Sequence, residues 1–153
     1  LSPFWESSLP LSYIGWGKTT QLGYGLGLAM GAKLLNPNKI CINVWGDAAI
    51  GFTGMDFETA VRERIPILSI LFNNFSMAIE LKVMPISTEK YRSTDISGDY
   101  AAMARAFGGY GERVEKPEFG VEVLAAVGDV DRGGHDAPDL RRDDAGFVVE
   151  RRM

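Results

Sequence analysis

The sequence predicts an α/β domain with a doubly wound, mostly parallel sheet and helices on both faces. Two short apolar runs rich in β-branched residues, 40–45 and 67–72, are typical of buried parallel strands. Between them, residues 55–64 place their apolar members at helical spacing, and Pro66 ends this segment just before the second run. The chain therefore contains a strand, helix, strand unit, which is the building block of such sheets.

Further elements are predicted on both sides of this unit. Residues 22–35 predict a helix before the first strand. After the second strand, residues 101–107 predict a helix that a pair of glycines ends, and residues 110–114 predict another strand. Lys116-Pro117-Glu118 indicates the start of one more helix.

Composition divides the chain into three parts. Residues 1–14 are extended and aromatic, as in an interdomain leader, and residues 15–119 form the predicted domain. From 120 to 153 the chain becomes rich in Arg, Asp, Gly, Ala and Val, which GC-rich codons yield in a shifted reading frame. We hypothesise a frameshift there; the alternative is a disordered polar tail with a true final strand at 147–150.

The overall composition limits the class of protein. The chain has 153 residues, 46% hydrophobic and 24% charged, which fits one soluble domain with one core. A net charge of −4 argues against a nucleic-acid partner. Neither a membrane span nor a secretion signal is visible, so no membrane partner and a cytoplasmic location are expected. The single cysteine, Cys41, excludes an internal disulfide and is predicted to lie buried in the first strand.

Polar residues follow both apolar runs. Asp47 comes after the first strand, and Asn73-Asn74 come after the second. Ligands of open α/β sheets bind beyond the carboxyl ends of the strands, and carboxylate and amide oxygens suit Mg²⁺ that also binds phosphate. This pattern predicts half of a metal and phosphate site. The alternatives are that Asp47 only caps the following helix and that the asparagines are simple turn residues.

The frame Gly46-Asp47-Ala48 followed by Asn73-Asn74 resembles the thiamine diphosphate signature of the acetolactate synthase, pyruvate oxidase and pyruvate decarboxylase family. The resemblance extends from about residue 13 to 114, and the amino-acid sequence of residues 46–60 is most similar to that of acetolactate synthases. It implies the C-terminal, diphosphate-binding domain of such an enzyme, with thiamine diphosphate and Mg²⁺ as cofactors. FAD is implied only as a possibility for a full-length enzyme.

The resemblance also implies residue roles. Asp47 and Asn74 bind Mg²⁺ through side-chain oxygens, and Ser76 binds it through its backbone carbonyl. The diphosphate lies beside the residues that flank the metal ligand in the motif, namely Gly46, Ala48 and Ala49. Ala49 offers no hydroxyl to add to the backbone donors there.

Other implied positions surround the rings of the cofactor. Leu22 stands where an apolar residue wedges between the two rings, although a leucine at this position of an apolar helix also reads as a core residue. Backbone carbonyls near Thr20 and Ile79 hold the pyrimidine, and Glu80 is a candidate for proton transfer.

The resemblance finally implies what this chain lacks. The family's activating glutamate lies on a pyrimidine-binding domain, for which the sequence has no matching segment. We therefore expect the isolated chain to be inactive and to need that domain, from the same or another subunit, in a homo-oligomer (dimer or tetramer) that acts on a 2-oxo acid. The alternatives are a fragment of a sibling enzyme (oxalyl-CoA decarboxylase, sulfopyruvate decarboxylase or pyruvate oxidase) and a non-catalytic docking subunit or pseudoenzyme.

Overall fold

Four parallel strands form a single sheet in the computed structural model, which describes residues 5–15 and 21–116 and the backbone of residues 147–152. The strands are β1 (Ile42–Gly46), β2 (Leu68–Asn73), β3 (Tyr110–Val114) and β4 (Phe147–Arg152). Their order across the sheet is β1, β2, β4, β3. The predicted α/β class with a parallel sheet is confirmed.

The first helix precedes the sheet in the chain, and the other helices lie between strands. Helix α1 (Gly25–Leu35) precedes β1. The β1–β2 connection contains α2 (Asp47–Thr53), a 3₁₀ turn (Gly54–Asp56) and α3 (Phe57–Arg62). A second 3₁₀ turn (Glu80–Lys82), α4 (Pro85–Tyr91) and α5 (Tyr100–Ala106) lie between β2 and β3.

Several predicted boundaries are wrong by a few residues. Helix α1 begins at Gly25 instead of residue 22, because Gly23 adopts a φ of 89° that a right-handed helix does not permit. The first strand begins at Ile42, so Cys41 lies before β1 and is only half-buried. The single helix predicted over 55–64 is instead the end of a 3₁₀ turn (Gly54–Asp56) followed by α3 (Phe57–Arg62).

The hydrophobic core lies where α1, α2, α3 and α5 meet β1 and β2. Its members are buried apolar side chains from all of these elements, including Leu26, Trp45, Ile50, Phe57, Ile67, Leu71 and Ala104. Close packing of this core holds the carboxyl ends of β1 and β2 at a fixed separation.

The register of the sheet brings two chain segments together at one edge. Gly46 of β1 lies beside Phe72 of β2, so Asp47 and Asn73, the next residues, leave adjacent strands at the same level. The carboxyl ends of these two strands therefore form the floor of the candidate site, as the sequence predicts.

Strand β4 joins the two halves of the sheet. Phe147 pairs with Leu68 of β2 on one side and with Tyr110 of β3 on the other. Strand β4 thus covers residues 147–150, where the alternative to the frameshift hypothesis predicts a true final strand. The frameshift itself and the domain divisions stay predictions, and the helix predicted to start at residue 116 falls mostly outside the described residues.

Within the described part of the chain, no helix combines the length and the apolar character needed to cross a bilayer.

Candidate functional site

The Asp47 carboxylate is buried at the carboxyl end of β1. Asp47 is 4% exposed and is the first residue of α2. One carboxylate oxygen, Oδ1, accepts a hydrogen bond from the N–H of Ala48 at 2.9 Å. The other oxygen, Oδ2, accepts from the N–H of Ser76 at 3.2 Å, which ties β1 to the loop after β2.

Asn74 and Asp47 meet at the same backbone group. The side-chain oxygen of Asn74 accepts from the N–H of Ser76 at 3.1 Å, so this N–H is shared by the two side chains. The structure therefore brings Asp47, Asn74 and Ser76 together, although they come from two different strand ends. We call residues 73–76 together with Asp47 the cation loop.

The cation loop turns sharply after β2. Asn73 is fully buried, and its side-chain oxygen accepts from the N–H of Phe75 at 3.1 Å. Phe75 has a φ of 59°, in the left-handed region that non-glycine residues seldom adopt. Directly after this residue, the N–H of Ser76 points to the carboxylate of Asp47.

A second segment supports the loop from outside. Phe75 accepts a backbone hydrogen bond from Ile96 at 3.0 Å, and Met77 donates one to Thr94 at 2.9 Å. Ser76 and Asp95 between them form an antiparallel bridge. The cation loop is therefore held on both sides.

The alternative role of Asp47 as a helix cap does not describe this geometry. The N-cap of α2 is Gly46, and the helix has no side-chain cap hydrogen bond. Asp47 instead bonds its immediate neighbour and a residue of the next strand's loop. Within residues 5–15 and 21–116, no lysine or arginine pairs with this carboxylate.

The donor set fits a hard cation better than a soft one. It comprises one buried carboxylate, one amide oxygen and the adjoining backbone of Ser76, and oxygen donors of this kind suit Mg²⁺. A buried carboxylate without a basic partner is also costly unless a positive charge compensates it. In the described part of the chain, no group of three or more His, Cys, Asp or Glu side chains offers a competing metal site.

The residues expected beside the diphosphate lie around the start of α2. Gly46 is half-buried and ends β1, and Ala48 is half-buried with its N–H directed to Asp47. The side chain of Ala49 is 7% exposed and packs in the core. Only the backbone of Ala49 therefore remains for contact with a phosphate.

The residues expected around the cofactor rings are more dispersed. Leu22 is half-buried and packs against the core, which agrees with its alternative role and leaves the wedge a prediction. Ile79 is 71% exposed before the second 3₁₀ turn, and Glu80 begins that turn half-buried. Thr20 lies outside the described residues.

Two features of the site were missed by reasoning from sequence. One is the N–H of Ser76 as the meeting point of two side chains, since only its carbonyl was expected to act. The other is the buried position of Asn73, which the sequence predicts only as a possible turn residue. The available signal was an asparagine directly after a strand, a residue that often bonds the backbone two residues on.

Comparison with known proteins identifies the family. The model of the thiamine pyrophosphate enzyme C-terminal TPP binding domain matches residues 1–134. A probable acetolactate synthase of Mycobacterium bovis is 33% identical over 118 residues, covering 73% of this chain and 21% of the relative. The acetolactate synthase of Bacillus subtilis is 32% identical over 128 residues, covering 81% of this chain and 22% of the relative. A 2-hydroxyacyl-CoA lyase 1 of Dictyostelium discoideum is 32% identical over 117 residues, covering 68% of this chain and 20% of the relative.

A solved structure has the same fold. The thiamine diphosphate-dependent 4-hydroxybenzoylformate decarboxylase of Rhodococcus jostii RHA1 superposes with a TM-score of 0.69 at 23% identity, covering 88% of this chain and 24% of that one. The chain thus spans about a fifth of the length of the curated relatives it matches. Together these matches show that the chain belongs to the thiamine pyrophosphate enzymes and corresponds to their C-terminal TPP-binding domain.

Proposed function

We propose that this chain supplies the Mg²⁺- and diphosphate-binding half of the active-site cleft in an acetolactate synthase-like enzyme acting on a 2-oxo acid. The observation that carries the proposal is the convergence of Asp47 and Asn74 on the N–H of Ser76 at the carboxyl ends of β1 and β2. Family membership supports thiamine diphosphate as the cofactor, and the oxygen donors support Mg²⁺ as its metal.

Each residue of the cation loop has a distinct task in this proposal. Asp47 supplies the negative charge that attracts the cation, Asn74 supplies a neutral oxygen, and the backbone carbonyl of Ser76 supplies a third. Bound thiamine diphosphate supplies the electron sink for decarboxylation of a 2-oxo acid and for carboligation. The chain itself contributes position and charge at the diphosphate end of the cofactor.

The proposal requires a partner for the other half of the cleft. An exposed apolar segment follows the cation loop directly, with Ile79, Val83, Ile86 and Tyr91 between 68% and 77% exposed. Exposed apolar side chains grouped in this way are typical of interaction surfaces. We propose that this face docks on a pyrimidine-binding domain of the same or another subunit, in a homo-oligomer.

A lyase of 2-hydroxyacyl-CoA is a second candidate activity. Relatives of that name from Dictyostelium discoideum and Oryza sativa are 32% and 33% identical to this chain, as similar as the acetolactate synthases. Both activities use the same proposed metal and cofactor site. Assay of the reconstituted enzyme with pyruvate and with a 2-hydroxyacyl-CoA separates them.

Calorimetric titration of thiamine diphosphate in the presence of Mg²⁺ tests the proposed site. We expect weak binding to the chain alone and strong binding after addition of a pyrimidine-binding domain from an acetolactate synthase. Removal of Mg²⁺ with a chelator should abolish the strong binding. If the cofactor binds neither form, the chain is a pseudoenzyme and the proposal is wrong.

Asn74→Ala is the variant that tests the amide ligand. We expect roughly tenfold weaker Mg²⁺-dependent binding of thiamine diphosphate, since one oxygen ligand is lost while the charge of Asp47 stays. Asn38→Ala is the matched control, because Asn38 is an exposed asparagine in the turn after α1, away from the cation loop. Equal affinities of the two variants in the titration would exclude Asn74 as a ligand.

Leu22→Ala separates the cofactor rings from the diphosphate. If Leu22 supports the rings, this variant keeps its Mg²⁺-dependent affinity for inorganic pyrophosphate but lowers the turnover of the reconstituted enzyme. Because Leu22 also packs on the core, we expect a loss of stability of about 1–2 kcal/mol, measurable by urea unfolding. Full turnover in this variant would leave Leu22 with its packing role alone.

A further inference from the structure

We propose that Asn73 is a positioning residue: its buried side chain holds Phe75 in the left-handed conformation that brings Asn74 and Ser76 to Asp47. This inference rests on the proposed function of the cation loop, because the task of Asn73 is to place the cation's ligands. Asn73 itself is not assigned as a ligand.

The first step of the argument is the position of Asn73. It is the last residue of β2 and is 0% exposed, although asparagine is usually found at the surface. Burial of an amide is unfavourable unless hydrogen bonds compensate it. Its side-chain oxygen accepts from the N–H of Phe75 at 3.1 Å, so the buried amide is bonded to the turn itself.

The second step is the conformation that this hydrogen bond accompanies. Phe75 has a φ of 59°, which costs a bulky residue about 1 kcal/mol or more relative to ordinary backbone. An asparagine that bonds the N–H two residues on closes a turn of this kind. The hydrogen bond from Phe75 to Asn73 therefore offsets the cost of the left-handed residue.

The third step is the consequence for the ligands. Directly after the left-handed residue, the N–H of Ser76 lies 3.2 Å from Asp47 Oδ2 and 3.1 Å from Asn74 Oδ1. If Phe75 returned to an extended or helical conformation, Ser76 would leave this position and the two side chains would lose their common partner. Asn73 thus acts on the cation site through Phe75.

The inference predicts a specific rescue. Glycine adopts the left-handed conformation at little cost, so Phe75→Gly should remove the need for Asn73. Arg64→Gly is the matched control: Arg64 also has a positive φ, of 52°, but lies before the start of β2, whereas residues 73–76 lie at the other end of this strand. A glycine at position 64 should not change the effect of a substitution at Asn73.

The experiment compares Asn73→Ser with Asn73→Ala. The serine hydroxyl can accept the hydrogen bond from the N–H of Phe75, and the alanine side chain cannot. The first readout is the amide of Ser76 in an NMR spectrum of the chain without metal or cofactor. In Asn73→Ala we expect faster hydrogen exchange at Ser76 by roughly tenfold, with a smaller change in Asn73→Ser and no change at Val44 in β1. Adding Phe75→Gly should restore protection in Asn73→Ala, whereas adding Arg64→Gly should not.

The second readout is the affinity for Mn²⁺ with thiamine diphosphate, followed by electron paramagnetic resonance in the presence of the pyrimidine-binding domain. The order of affinities should be wild type, Asn73→Ser, Asn73→Ala, with recovery in the double variant containing Phe75→Gly. If wild type binds no Mn²⁺ under these conditions, the proposed function fails, while the Ser76 amide still tests the role of Asn73.

Two results would overturn the inference. One is an unchanged Ser76 amide in Asn73→Ala; the other is an equal loss in Asn73→Ser and Asn73→Ala that Phe75→Gly does not relieve, which indicates packing alone. If Asn73→Ala does not fold, the comparison of Asn73→Ser with and without Phe75→Gly decides: relief of the exchange at Ser76 supports the inference, and no relief contradicts it.

Discussion

Asp47 and Asp99 both stand at helix starts in this domain, and their surroundings differ. Asp99 is the N-cap of α5: its Oδ1 accepts from the N–H of Ala102 at 2.8 Å, and its Oδ2 pairs with Arg113 at 2.9 Å. Asp47 is buried beneath the cation loop and bonds only backbone N–H groups in the described part of the chain. Among residues 5–15 and 21–116, an arginine side chain thus compensates the charge of Asp99, whereas no basic side chain compensates that of Asp47.

The different surroundings of Asp99 and Asp47 indicate a stabilising role for Asp99 and a binding role for Asp47. A capping aspartate with an arginine partner and half-exposed position stabilises the junction of α5 and β3. A buried carboxylate without a basic partner is a cost to the fold, and such costs are typical of sites that bind something. We call residues 99–114 the α5–β3 unit and compare it with the cation loop.

The largest effect is expected from breaking the α5–β3 unit at Gly111. A Cβ atom at this position would lie 2.1 Å from the carbonyl oxygen of Ala101, and a backbone atom cannot move aside as a side chain can. We expect Gly111→Ala to lower the free energy of unfolding by about 3 kcal/mol in urea titrations. Gly27→Ala is the control, because open space surrounds Gly27 in α1 and alanine favours a helix there by about 0.5–1 kcal/mol. A mild effect at Gly111 would mean that α5 and β3 separate easily.

The next largest effect is expected from Asp47→Asn, which removes the charge and keeps the shape of the side chain. We expect at least roughly a hundredfold loss of Mg²⁺-dependent thiamine diphosphate affinity, since removal of one charge from a close ion pair costs about 3 kcal/mol. The matched variant Asp99→Asn should leave that affinity unchanged in the same titration. Loss of binding in both variants would abolish the distinction between the two aspartates.

The smallest effect is expected from the pH dependence of Asp99. The backbone hydrogen bond from Ala102, followed by the charges of Arg113 and Arg105, holds the pKa of Asp99 below its ordinary value of 3.8. A lowered pKa means that the ionised carboxylate stabilises the fold above pH 3.8 and that this contribution disappears as the pH falls through the folded-state pKa. Asp99→Asn should therefore melt slightly lower than wild type at neutral pH, with the two curves converging in acid. A constant difference at every pH would exclude the charge as the cause.

The cation loop also shows how far sequence reasoning reaches. Asp47 and Asn74 were predictable because each follows an apolar strand, and parallel strands end at a common edge. The left-handed turn at Phe75 was not, because phenylalanine carries no signal for positive φ and the conformation is imposed by Asn73 and the neighbouring segment. Local pattern identified two residues that meet at this edge of the sheet, whereas the contacts that position them depend on tertiary structure.

The elements of the sheet and its helices also differ in how well the sequence predicts them. Strands β1 and β2 follow from runs of apolar residues, and β3 was predicted at residues 110–114, after the helix that two glycines end. The predicted bounds of these three strands differ from the observed ones by at most two residues. Helix α4 was missed, since the apolar residues of 85–91 do not recur at helical spacing and none of its residues is buried. The place of β4 between β2 and β3 could not be predicted either, because strand order depends on packing between distant segments.

The strand order has a consequence for biosynthesis. In the described structure β3 reaches β2 only by way of β4, whose residues, Phe147–Arg152, are synthesised after those of β3. On a translating ribosome, the emerging β1–β2 unit can fold early, but β3 must wait until the nascent chain extends to Arg152. A chain released before Phe147 would lack the strand that pairs with β3 in the described structure, which leaves β3 prone to degradation and aggregation.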